Sequence, residues 1–315
     1  MTAPADAPPA PAVREVGAAA LRWTWENREH FRLGEDALAE HGDVNRTWKP
    51  LGELAQVCVS VRRALPESDP LHATASDLLR HAWRLTESGA FFHELQRLEP
   101  FGTYALEVYA AFASAGLRHP GFEELAATAA ATRGWRLTEQ QPNRRLGLLN
   151  SERRVGLAPH RPVAEALRAT WLGGLPEPWT FEAASGYTLT HVVFHLTDWG
   201  GDAAGVPDDV AAYLGLWLPA WLDSCLEDDQ WDLACELLAV AAALPAPPPG
   251  DLFAAAFRAL AAGQDARGAL PEIGPGTRGR PVRRAFPDCY HSTLMAAFAA
   301  ALALGPARER QGAPA

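Results

Sequence analysis

Apolar positions along the chain recur with helical spacing, not with the alternation of strands, and Pro, Gly and Asp interrupt them every 15 to 25 residues or so, on the order of one helix length. That pattern predicts helices over 12–31, 51–65, 71–88, 91–98, 103–117, 121–134, 141–155, 162–173, 187–199, 208–226, 230–244, 250–263 and 288–305. Short links such as Arg118-His119-Pro120 and Glu227-Asp228-Asp229 suit antiparallel hairpins of neighbouring helices. Longer breaks fall at 174–178, 245–250 and 268–287, and only the last has the length of a functional loop. The expected fold class is all-α: one domain over 12–305, with residues 1–11 and 306–315 as disordered tails.

So many helix hairpins must bury their apolar faces on one another. An α/α toroid, with inner helices around a hollow, and an open α-solenoid both achieve this. The signatures of ankyrin, tetratricopeptide and HEAT repeats are missing. The last predicted helix carries no charged residue from Cys289 through Pro306, so no face of it suits full exposure. All-round burial of that kind favours an inner helix of a toroid, with the open solenoid as the alternative.

Composition adds a few exclusions. Apolar residues make up 48% and charged residues 21% of 315, enough for a sizeable core. A formal charge of −10 argues against a general nucleic-acid binder. The local exception is Arg278, Arg280, Arg283 and Arg284 in a Gly/Pro-rich loop, read as solvated. Cys58, Cys225, Cys235 and Cys289 lie far apart with no CxxC pair, which points to reduced thiols and a cytoplasmic protein. The first residues lack the pattern of a signal peptide. No stretch reaches the roughly 18 uninterrupted apolar residues of a membrane span, so no membrane partner is expected.

Four segments carry a resemblance: Thr47-Trp48-Lys49-Pro50-Leu51-Gly52-Glu53-Leu54, Tyr187-Thr188-Leu189-Thr190-His191, Leu196-Thr197-Asp198-Trp199-Gly200 and Tyr290-His291-Ser292-Thr293. In these the chain resembles an uncharacterised all-helical bacterial family, a likeness that spans most of its length and implies no established activity. In architecture alone it also resembles the toroid enzymes, among them lanthionine cyclases, protein prenyltransferases and terpene cyclases. The Cys-His zinc motif of the first and the Asp-rich motif of the last are absent.

Candidate chemistry concentrates on the predicted helix 187–199. Leu189, Val192, Val193, Leu196 and Trp199 share one face; Tyr187, His191, Phe194, His195 and Asp198 share the other. Two histidines, two aromatics and one acid suit the wall of a cavity better than a solvent face. His191 and His195, four apart, have the spacing with which two imidazoles of one helix bind zinc, and Asp198 is a third ligand or an orienting partner of His191. Val192 stands where the metalloprotease motif needs Glu. At the start of the last helix, Asp288 has the position of an N-cap, His291 needs partners for its ring, and Tyr290 stands beside it. Cys289 is a weaker ligand candidate. Lys49, Glu53, Glu107 and Tyr187 are candidate substrate contacts, and Glu139, Arg144 and Arg145 a candidate anion clamp.

Two functions follow. In the first, the protein is an enzyme acting on a small or peptidic intermediate of specialised metabolism by hydrolysis, elimination or cyclisation. Its catalytic residues are His191, Asp198, His291 and Tyr290, and in a zinc form the ligands come from His191, His195, Asp198 and His291. In the second it is a non-catalytic helical scaffold that binds a peptide or partner protein. The enzyme is the preferred expectation.

Overall fold

A computed structural model describes residues 10–39, 42–44, 46–246, 250–275 and 284–305. Arg278, Arg280 and Arg283 of the basic loop lie outside them, as do residues 1–9 and 306–315 of the expected tails. The described residues form fourteen α-helices and no strand. In chain order these are α1 (Ala10–Glu26), α2 (Trp48–Ala64), α3 (Pro70–Leu85), α4 (Ala90–Leu98), α5 (Tyr104–Ser114), α6 (Pro120–Ala130) and α7 (Arg133–Leu137). There follow α8 (Pro142–Val155), α9 (Val163–Arg168), α10 (Ala183–Leu196), α11 (Asp208–Glu227), α12 (Trp231–Ala243), α13 (Gly250–Gly263) and α14 (Tyr290–Leu304). No helix is long and apolar enough to cross a membrane.

Local chemistry sets the boundaries. Asp69 caps α3 by accepting from Leu71 N–H, with Pro70 in the first turn, where its missing donor costs nothing. The short α7 breaks the run predicted over 121–134 because Thr132 caps a new helix, its hydroxyl accepting from Trp135 N–H. Glu182 and Ser185 close a reciprocal capping box that starts α10 four residues before the predicted position. The same helix ends at Leu196, short of Asp198. Asp198 and Trp199 take the left-handed conformation at φ 50° and 57°, and Gly200 continues it at 77°.

Burial separates two kinds of helix. On α3 the buried residues Leu71, Ala75, Leu78, Leu79 and Ala82 form one stripe. On α12 and α14 burial runs nearly all round, as the charge-free sequence of α14 requires. The second kind builds a closed order of contacts: α2 packs on α5, α5 on α8, α8 on α10, α10 on α12, α12 on α14, and α14 returns to α2. The others lean on this circuit, α1 on α14, α3 on α2, α4 on α5, α9 on α8 and α11 on α12. Small residues permit the closest approaches. A Cβ on Gly17 of α1 would stand 3.0 Å from that of Ala300 on α14, and one on Gly52 of α2 would stand 3.0 Å from Val108 on α5.

The first turns of the circuit helices meet at one end. Glu53 of α2 touches His291 of α14, which touches Asp232 and Glu236 of α12; Asp232 in turn touches Tyr187 of α10. Arg144 of α8 pairs with Glu107 of α5 at 2.7 Å. The six helices therefore run the same way, with their amino ends together.

The segment after α13 is pinned to α1 at Gly268, whose φ is 98° and whose Cβ, were there one, would lie 2.2 Å from the Ala19 carbonyl oxygen. Gly268→Ala should cost more than about 2 kcal/mol, combining a forbidden φ with a clash against backbone. Urea unfolding checks this: a midpoint equal to that of the parent chain would show that the segment is not held as described.

Candidate functional site

At the meeting of the amino ends, α14 presents His291, whose side chain is 12% exposed. Its Nδ1 lies 3.1 Å from Glu53 Oε2, and its Nε2 lies 3.1 Å from Glu236 Oε1 and 3.6 Å from Asp232 Oδ1. Asp232 and Glu236 stand four apart on α12 and so share one face. Their remaining oxygens are taken: Tyr187 donates to Asp232 Oδ2 at 2.9 Å, and the Thr190 hydroxyl donates to Glu236 Oε2. His191 approaches the same Glu236 oxygen, its Nδ1 3.7 Å away and 2.8 Å from the Tyr187 carbonyl. Asp232 Oδ1 is sealed from solvent with no hydrogen-bond partner.

The electrostatics follow from three carboxylates around one imidazole. Burial disfavours the charge on His291, but Glu53, Asp232 and Glu236 outweigh it and hold its pKa well above the ordinary value. Burial likewise opposes ionisation of Glu236 and Glu53; His191 and His291 overcome it at Glu236, His291 and Lys49 at Glu53, and both carboxyls fall below the usual range. At Asp232 burial wins, with Glu236 adding repulsion, and the pKa rises to about 7. The phenols of Tyr187 and Tyr290 are pushed upward, by burial first and then by Asp232 and Glu53 respectively. Of the three acids Asp232 alone stands in a first turn, where the helix amino end carries partial positive charge.

The sequence-derived candidates separate into those the fold gathers and those it does not. His291, Tyr290, Tyr187, His191, Glu53 and Lys49 belong to the layer, with Lys49 3.8 Å from Glu53. Glu107 lies beside it, bound by Arg144 and Thr103, both at 2.7 Å. Asp198 is elsewhere. Past the end of α10 it is held by Arg154 and by Arg63 at 2.7 Å, so it neither orients His191 nor joins His195 on a metal. His195 turns from the layer toward Gly147, its Nδ1 sealed and unpartnered, and burial lowers its pKa to about 3. It is a neutral packing residue. The expected zinc set of His191, His195, Asp198 and His291 therefore does not converge. Cys289 has its Sγ on the Ala285 carbonyl at 3.4 Å, and burial pushes its thiol up to about 12. Arg144 is spent on Glu107, and Arg145 on His160 and the Thr138 carbonyl, leaving no anion clamp.

In comparison with known proteins, a family model described as "Domain of unknown function (DUF6895)" matches residues 17–301. The chain belongs to the DUF6895 family. Neither curated proteins nor solved structures give a match. The family match covers both ends of the polar layer in this DUF6895 chain, from Glu53 to His291, while the likeness to toroid enzymes finds no relative behind it.

Sequence reasoning passed over Asp232 and Glu236. Yet they are the only charges in the thirteen residues of α12, which is buried almost throughout. An i, i+4 acid pair in an otherwise apolar helix is a signal that two charges are kept for a purpose.

The pKa of His195 gives a pH prediction. An unfolded His195 takes up a proton below about 6.5 while the folded one resists until about 3. Its contribution is whole above pH 6.5 and is lost as pH falls, reaching at most about 2 kcal/mol of destabilisation at pH 5. His195→Leu should therefore flatten the fall in unfolding free energy between pH 7 and pH 5. Parallel slopes for the two chains in urea titrations would refute the assignment.

Proposed function

We propose that the six-helix circuit is the inner wall of an α/α toroid and that the protein is an enzyme working at the polar layer on its amino side. The return of contacts from α14 to α2 supports the toroid over an open solenoid, whose first and last repeats would stay apart. The substrate is a small or peptidic molecule and the reaction a hydrolysis, elimination or cyclisation. Four free, buried cysteines suit a reducing compartment such as the cytoplasm.

The orientation of His191 carries this reading. Its Nδ1 faces the Tyr187 carbonyl at 2.8 Å and so holds the proton, which leaves the lone pair on Nε2. Glu236 Oε2 lies 3.7 Å from the same Nδ1, a carboxylate behind the ring. The side chain is 36% exposed, more open than His291, Asp232 or Glu236. A base needs that combination of a fixed tautomer, a carboxylate behind it and access in front. Tyr290, kept protonated at neutral pH by burial and Glu53, can offer a substrate a hydrogen bond but is a poor proton donor.

His191→Ala should lower turnover of small acyl, glycosyl and peptide substrates by about 10²–10⁴-fold. It should leave the melting temperature within about 2 °C of the parent, as expected for a partly exposed side chain. Turnover undiminished in the variant removes His191 from the chemistry. A parent chain inert on all three classes that captures peptides would favour the scaffold.

A further inference from the structure

Asp232, Glu236 and His291 are arranged so that each has one polar atom held from behind and one turned to a common point. Asp232 Oδ2 is held by Tyr187, Glu236 Oε2 by Thr190, and His291 Nδ1 faces Glu53 Oε2. The atoms left are Asp232 Oδ1, Glu236 Oε1 and His291 Nε2, and one atom from each of the three residues lies within 4.8 Å of the others. We infer that these three atoms hold a divalent cation of the zinc class, with a fourth position open to water or substrate. The inference rests on the proposed function for what the cation does there, and not for its binding.

Distances support the assignment. Two ligands each about 2.1 Å from zinc at a tetrahedral angle sit roughly 3.4 Å apart. His291 Nε2 lies 3.1 Å from Glu236 Oε1 and 3.6 Å from Asp232 Oδ1, on either side of that spacing. Asp232 supplies the independent sign. It is 4% exposed, and its Oδ1 points at the shared position with no hydrogen-bond partner, although a sealed carboxylate oxygen without one is costly. Charge agrees with geometry, since Glu53, Asp232 and Glu236 face one imidazole, Lys49 and the half-open His191, while Glu272 adds to the negative field. The donor set of one nitrogen and two oxygens fits zinc, manganese or iron better than calcium or magnesium. Outer partners on every ligand are the usual support of a metal site, with Glu53 in the role of the carboxylate behind a ligating histidine.

The test uses the full chain, freed of metal by chelation and titrated with zinc sulfate at pH 7 by calorimetry. One zinc per chain at micromolar or tighter affinity is expected, and cobalt should give the visible absorption of a low-coordinate site. Asp232→Asn should weaken zinc binding by about 100-fold, and Glu53→Gln or Tyr187→Phe by about 10- to 100-fold. Circular dichroism of each variant identifies any that fail to fold, and Glu53→Gln and Tyr187→Phe keep the test alive if Asp232→Asn is lost. Absence of stoichiometric zinc, or unaltered affinity in the folded outer variants and in Asp232→Asn, overturns the site. Because no substrate enters the titration, that result leaves the role of His191 standing, whereas bound zinc with undiminished turnover in His191→Ala overturns only the latter.

Discussion

The contact between His291 and the carboxylates of Glu53, Asp232 and Glu236 binds three helices at one point, and the layer around it depends on that contact. A charged imidazole taken out of water costs several kcal/mol unless opposite charges accompany it. Here they come from α2 and α12, on either side of α14. Each acid needs the histidine as much as it needs them: without His291, α12 would bury two carboxylates four residues apart. Removing one partner from such a group typically costs about 3–5 kcal/mol, far more than any surface pair in the molecule. Fold and site are thus tied together, because the side chains of the layer also fix the spacing of the helices that present them.

A second group of buried polar residues shows by contrast what sets this layer apart. Glu152 accepts from Trp135 Nε1 at 2.8 Å and lies 2.9 Å from His160 Nδ1, while His160 Nε2 takes a hydrogen bond from Arg145. Both Glu152 oxygens and both ring nitrogens have partners. The group ties α7 and α8 to the loop before α9 and leaves nothing to offer a ligand. At the amino ends of the circuit, Asp232 Oδ1 is left without a hydrogen-bond partner beside the paired Glu236 and His291. That difference in satisfaction, more than the residue types, sets the two groups apart.

Much of this was legible in the sequence. Periodicity and punctuation locate the helices because Pro and Gly act locally, and the charge-free run after Cys289 marks α14 as interior without any knowledge of its neighbours. His291, Tyr187 and Glu53 stand out for a similar reason, as polar residues in apolar surroundings. Asp198 misled because a helical wheel was carried past the true end of α10, where three left-handed residues in succession turn the chain away. Glu236 stayed hidden because its meaning lies in a partner 55 residues away, and one sequence gives the spacing along a helix but not the pairing between helices.

The left-handed turn after α10 has one more effect. Asp198, with Arg63 and Arg154, sits at the carboxyl ends of α2, α8 and α10, and Gln56 and Ser60 pack beside them, Ser60 bonding the Trp199 carbonyl. Side chains thus stopper that end of the bundle. Among the described residues these ion pairs close that end, so in the proposed reading a substrate would approach His191 from the side of the amino-terminal turns.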